Sequence, residues 1–155
     1  DLRIVLIGQG PSKEKLVSSA EEKNLANVVF LPYQPVEVLP FSLTSGDLSV
    51  VTLAPKMDHL TIPSKLYPAM AGGQAILALM GPGTDVGELV IEYDIGIRVT
   101  QGDAVTLADE LVRLLDDPEL VRTLKSRSRR VFEENFTREK SINSYLSILE
   151  EASRS

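Results

Sequence analysis

The chain has 155 residues, 43% apolar and 25% charged, a composition that excludes a disordered segment or a membrane-spanning bundle. Against 22 acidic residues stand only 16 Lys and Arg, and the net charge of −6 argues against wrapping nucleic acid, which needs a basic face. With no cysteine and one histidine, His59, disulfides, thiolate or multi-histidine metal sites and cysteine nucleophiles are excluded as well. No apolar run approaches the roughly 20 residues of a membrane span. The chain enters a strand-like run directly after Asp1, with no initiator Met and no signal-like stretch, so we expect a cytoplasmic domain of a longer protein.

Leu2 to Ile7 is a short apolar run closed by Gly8, which predicts a buried strand. Gly8 to Ser12 predicts a turn. A helix follows, with Ser12 placed to cap it, Glu14 in its first turn, and Leu16, Val17 and Ala20 at helical spacing. Asn27 to Leu31 predicts the second strand, and Pro35 to Gly46 a short helical stretch. Leu48 to Leu53 is the third strand, and Ala54 to Pro63 a polar loop. Ser64 to Ala71 predicts a helix stopped by Gly72-Gly73. The fourth strand is Ala75 to Leu79, the next helix Asp85 to Tyr93, and the fifth strand Gly96 to Val99. Three helices complete the chain: Asp103 to Leu115, Pro118 to about Asn135, and Thr137 to about Ala152. The basic residues Lys125, Arg127, Arg129 and Arg130 read as a solvated helical face, with contact of Arg129-Arg130 to a missing partner domain as the other reading.

Strands alternating with helices predict an α/β fold: a doubly wound, Rossmann-like and mostly parallel sheet, helices on both faces, extra helices at the C-terminus. In such a sheet ligands bind beyond the carboxyl ends of the strands, so the loops after strands hold the candidates. Gly8-Gln9-Gly10-Pro11 allows close approach of backbone N–H groups to an anion at a helix N-terminus. It lacks the third glycine of a dinucleotide fingerprint, Lys13 standing there, and a tight turn without ligand is the other reading. Ser64 and Lys65 combine a hydroxyl, an ammonium and free N–H groups, which suits a diphosphate; a Ser cap followed by a surface Lys is the alternative. His59, in the loop before them, is the one side chain suited to acid–base work near neutral pH. Neither a P-loop nor a Ser–His–Asp pattern occurs.

Phe30-Leu31-Pro32-Tyr33-Gln34-Pro35, Asp47-Leu48, Pro63-Ser64-Lys65-Leu66-Tyr67 with Met70-Ala71 and Gly73, Gly96, and Gly102-Asp103 follow one another in a familiar order. This order resembles the C-terminal domains of retaining GT-B glycosyltransferases, in particular the glycosyltransferase 4 group and its branch with a Pro-Ser-Lys-Leu-Tyr motif. The resemblance covers nearly the whole chain. It implies one domain, residues 1–155, that binds a nucleotide sugar, with UDP-sugar favoured and no metal or other cofactor. The acceptor would belong to an N-terminal domain outside this sequence, and a membrane-associated acceptor would place the enzyme at the inner face of the plasma membrane. Residue by residue, it puts Gly8 and Gly10 at the donor phosphates, the main chain of Leu31, Pro32 and Tyr33 at the base, and Ser64 and Lys65 at the diphosphate. Asp58 falls where the family has the first of two glutamates, facing the donor sugar. The second falls near Pro68, which has no carboxylate, so Glu88 joins Asp58 as a candidate catalytic carboxylate. The family's Arg and Lys pair would lie upstream of Asp1. Half of a GT-B sugar-nucleotide epimerase and a non-catalytic Rossmann-like interaction domain are the competing readings.

Overall fold

The computed structural model describes residues 1–53 and 61–154. Its elements are β1 (Ile4–Ile7), α1 (Lys13–Glu22), β2 (Val28–Leu31), a 3-10 turn (Val36–Val38), α2 (Leu39–Thr44), β3 (Leu48–Thr52), α3 (Leu66–Ala71), β4 (Ala75–Leu79), α4 (Asp85–Glu92), β5 (Gly96–Val99), α5 (Ala104–Asp116), α6 (Pro118–Asn135) and α7 (Arg138–Ser153). Every strand pairing among them is parallel. β1 pairs with β2, Ile4 opposite Val28 and Ile7 opposite Leu31. β4 lies between β3 and β5 in a second sheet. The expected α/β fold with parallel strands and flanking helices is therefore present, its strands divided between a two-stranded and a three-stranded sheet. The chain also divides into two compact units, Asp1–Ser42 and Leu43–Ser155.

The first unit is a single β–α–β crossover. Parallel pairing of β1 with β2 needs such a crossover, which α1 supplies. The chain leaves α1 through Asn24, whose φ of 52° suits asparagine in a turn. Ser12 stands at the N-cap of α1 without capping it through its side chain. Its backbone is helical (φ −92°, ψ −1°), whereas a capping hydroxyl needs an extended residue to reach back to the next N–H groups.

The second unit holds the main core. β4, Ala-Ile-Leu-Ala-Leu, has no polar side chain, and alternate residues enter different clusters. Ile76 and Ala78 join Met80 in packing with Leu66, Met70, Val90 and Val131. Ala75 and Leu77 pack with Ile97, Val99, Leu114 and Leu124. A strand buried on both faces between helices is the pattern that a parallel sheet demands. α6 reaches both clusters, through Leu124 and Val131. Three of its basic residues are tied to the chain itself: Lys125 Nζ is 3.0 Å from Asp47, Arg127 pairs with Asp94, and Arg129 binds Glu133 and the Ala71 carbonyl. Phe136 follows α6 and packs on Tyr67 and Tyr93, with ring centroids 5.3 and 6.4 Å away.

The helix ends follow ordinary capping chemistry. Asp103, Asp117 and Thr137 each accept a backbone N–H three residues on, at 3.0, 2.9 and 3.4 Å. α3 begins at Leu66, two residues later than the sequence suggests, because Leu66 N–H donates to Pro63 O and Ser64-Lys65 form a turn. α7 buries none of its residues and leaves Tyr145, Leu146 and Leu149 exposed.

Two substitutions test this packing. A Cβ on Gly96 would lie 1.8 Å from the Ile76 carbonyl oxygen, so Gly96→Ala should destabilise the chain by about 3 kcal/mol or more in urea unfolding. Ser128 is fully buried on α6, and its Oγ has no partner, alone among the described buried side-chain oxygens and nitrogens. Ser128→Ala should therefore be neutral or stabilising by up to about 1 kcal/mol, since it removes an unmet polar group; a clear loss in the same assay would reveal a partner.

Candidate functional site

The parallel register of β1 and β2 ends both strands at the same level, Ile7 opposite Leu31. Gly8, Gly10, Leu31, Pro32 and Tyr33 are thereby gathered at the carboxyl ends of one strand pair. Gly8 N–H continues the ladder by donating to Leu31 O at 3.1 Å. Gly8 has φ +136°, so glycine is required by its backbone, while a Cβ there would make only an ordinary contact with the Tyr33 ring, at 3.5 Å. The Tyr33 hydroxyl donates to Gln9 O at 3.2 Å, which fixes an otherwise exposed ring over the loop.

Gly10 differs from Gly8. Its φ is not in the left-handed region, and a Cβ on it would meet nothing within 4 Å. Neither conformation nor packing asks for glycine at this position. The loop lines an open cleft of about 240 Å³ together with Leu6, Phe30, Leu16 and Lys13. Lys13 Nζ donates to Gly8 O at 3.1 Å and to Leu31 O at 3.4 Å, joining the ends of the two strands. In the sequence this lysine is visible only as a departure from a glycine pattern; its second bond, to Leu31, depends on β2.

In the second unit, Glu88 lies in the first turn of α4 and holds the loop that follows β4. Its Oε1 accepts the Gly83 N–H at 2.8 Å and Arg98 Nη1 at 2.5 Å. The Gly83 N–H, and after it the Arg98 guanidinium, hold the Glu88 carboxyl below the ordinary glutamate value. A carboxylate in such bonds is kept ionised and is a weaker proton acceptor. Gly87 makes the pairing feasible, since a Cβ there would sit 2.8 Å from Arg98 Cδ and 2.5 Å from Thr84 Oγ1. Neither Arg98 nor Gly87 stands out in the sequence, because their relation to Glu88 depends on β5 lying beneath α4.

Ser64 and Lys65 are exposed in the turn before α3. Pro68 lies within α3, where it offers no carboxylate. Asp58 and His59 lie outside the described residues. Among the described residues no group of three or more His, Cys, Asp and Glu could hold a metal ion, and no helix is long and apolar enough to cross a membrane.

A β–α–β crossover with a glycine loop at its carboxyl end, and a parallel sheet between helices after it in the chain, define a Rossmann-like α/β fold. The model of the family described as "Glycosyl transferases group 1" matches residues 1–131, and the chain belongs to that family. It is 32% identical over 111 residues to a probable glycosyltransferase, WbjE, of Pseudomonas aeruginosa, covering 72% of this chain and 27% of the relative. It is 33% identical over 89 residues to a putative colanic acid biosynthesis glycosyl transferase, WcaI, of Escherichia coli, covering 57% of this chain and 22% of the relative. The crystal structure of HepE of Anabaena in complex with UDP-glucose aligns with a TM-score of 0.74 at 21% identity, over 99% of this chain and 41% of that one. The chain thus spans about a quarter of the length of these two relatives. The fold is that of GT-B glycosyltransferase structures.

The Glu88 bonds predict a pH dependence. A carboxyl whose folded value is depressed contributes stability that is complete above its unfolded value, near 4.5, and lost as pH falls through the folded value. Glu88→Gln should therefore lower the melting temperature at neutral pH, and the gap from the unaltered chain should close as the solution is acidified below that range. A gap independent of pH would mean that the charge of Glu88 does not hold the loop.

Proposed function

We propose that this chain is the donor-binding domain of a retaining glycosyltransferase of the glycosyltransferase 4 group, in the branch with the Pro-Ser-Lys-Leu-Tyr motif. It binds a nucleotide sugar, with UDP-sugar favoured and no metal, for transfer to an acceptor in polysaccharide or glycoconjugate assembly. The acceptor is held by an N-terminal domain and is membrane-associated; the name of one relative, WcaI, assigns it to colanic acid biosynthesis.

The observation that carries this reading is the gathering of Gly8, Gly10, Leu31 and Tyr33 at the carboxyl ends of β1 and β2, inside the segment that the family model matches. Gly10 adds to it. A glycine that the fold does not need, at the mouth of a cleft, leaves room for a ligand to approach the backbone. The base rests against the main chain of Leu31, Pro32 and Tyr33, and the phosphates lie over Gly8 and Gly10. The bound UDP-glucose of HepE supports the choice of a uridine nucleotide. Asp58, outside the described residues, is the candidate carboxylate for the donor sugar. Glu88 contributes by holding the Gly81–Thr84 loop through Gly83. Ser64 and Lys65 carry the phosphate role expected of the second unit.

Sugar transfer develops negative charge on the departing nucleotide diphosphate, which cationic and N–H groups at the diphosphate stabilise. A donor-binding domain without the domain that holds the acceptor binds nucleotide and turns nothing over.

Thermal unfolding with UDP tests the reading. At 100 times the dissociation constant, binding should add about 2.7 kcal/mol of stability. Gly10→Ala should leave the unliganded chain within about 0.5 kcal/mol of its original stability while reducing UDP affinity about tenfold. An affinity unchanged by Gly10→Ala would remove Gly10 from the site. Lys65→Ala should also weaken binding without loss of fold, and unchanged binding would withdraw the phosphate role of Lys65. Sugar transfer or donor hydrolysis by the purified chain would contradict the division of labour.

A further inference from the structure

Lys13 is the first residue of α1 and lies within the cleft at the carboxyl ends of β1 and β2. Its ammonium points back toward the strand ends, where Gly8 O and Leu31 O accept from it at 3.1 and 3.4 Å. Both acceptors are neutral carbonyls. Among the described residues Lys13 forms no ion pair, although the chain carries a net charge of −6. An ammonium has three N–H donors, so one is left for a ligand. A lysine in the first turn of a helix is also set against the helix dipole unless an anion offsets it.

We infer that Lys13 is a donor-site residue whose ammonium binds the diphosphate of the nucleotide sugar. The inference rests on the donor-domain reading above and adds to it a positive charge from within this chain. The two carbonyls hold Nζ in place before the ligand arrives, so little side-chain freedom is lost on binding. Charge favours phosphate over the base: an ammonium gains more from an ionised oxygen than from a neutral carbonyl of a pyrimidine. Gly10, open to the same cleft, lets phosphate oxygens approach the loop beside it.

The test compares UDP and uridine by calorimetry on the 155-residue chain, with Lys13→Met and Lys13→Arg and a melting curve for each variant. The expected result is an affinity for UDP reduced about tenfold in Lys13→Met and largely restored in Lys13→Arg, with uridine binding nearly unchanged. UDP binding by Lys13→Met equal to that of the unaltered chain would overturn the role of Lys13 and leave the donor-domain reading standing. Equal losses for UDP and uridine would also overturn it, because the contact would then be to the nucleoside. No saturable binding of UDP by the unaltered chain would remove both. Should Lys13→Met fail to fold, the Lys13 Nζ resonance of the unaltered chain decides: it should move with UDP and stay still with uridine, and a resonance indifferent to UDP overturns the proposal.

Discussion

The close approach of β5 to β4 is the constraint on which the larger unit depends. Gly96 faces the Ile76 backbone so closely that no side chain fits between them, and this contact starts the register that runs from Ile76–Gly96 to Leu79–Val99. A shift of one residue would turn every side chain of β5 to the other face and take Ile97 and Val99 out of the cluster they form with Leu77, Leu114 and Leu124. The same register brings Arg98 beneath α4, where it meets Glu88 and so fixes the loop after β4. Core packing and loop geometry therefore follow from one glycine.

The first unit is organised differently. Its two strands carry half-exposed apolar residues, Ile4, Val5 and Ile7 among them, and α1 buries none of its side chains. Its order comes from backbone and polar contacts at the strand ends: the Gly8–Leu31 ladder bond, Tyr33 on Gln9, and Lys13 across Gly8 and Leu31. The candidate donor site is built from these same groups. Rigid strand ends with mobile neighbours are where binding residues usually gather, because the scaffold fixes the loop and the loop stays open to ligand.

Much of this was legible in the sequence. Ala75–Leu79 and Gly96–Val99 are strands as their composition and glycine punctuation indicate, and Pro118–Asn135 is a helix opened by proline. Gly8, Gly10, Leu31 and Tyr33 could be named because they follow strands, and parallel pairing then gathered them. What was not legible depends on contacts distant in the chain. Lys125, on a partly exposed helix face, pairs with Asp47 just before β3, and Glu88, a candidate catalytic carboxylate in the sequence, is held by Arg98 from β5. Gly8 and Gly10 read alike as letters, yet only Gly8 has a backbone that demands glycine. Ser12 failed as a cap because its own backbone is helical, a property its identity does not reveal.

The central claim is that nucleotide binds where β1 and β2 end. The most direct measurement is amide chemical-shift mapping of the labelled chain during a UDP titration. The account predicts saturable shifts centred on Gly8, Gly10, Lys13 and Tyr33. Saturable binding that leaves those amides unmoved would place the nucleotide elsewhere and contradict it.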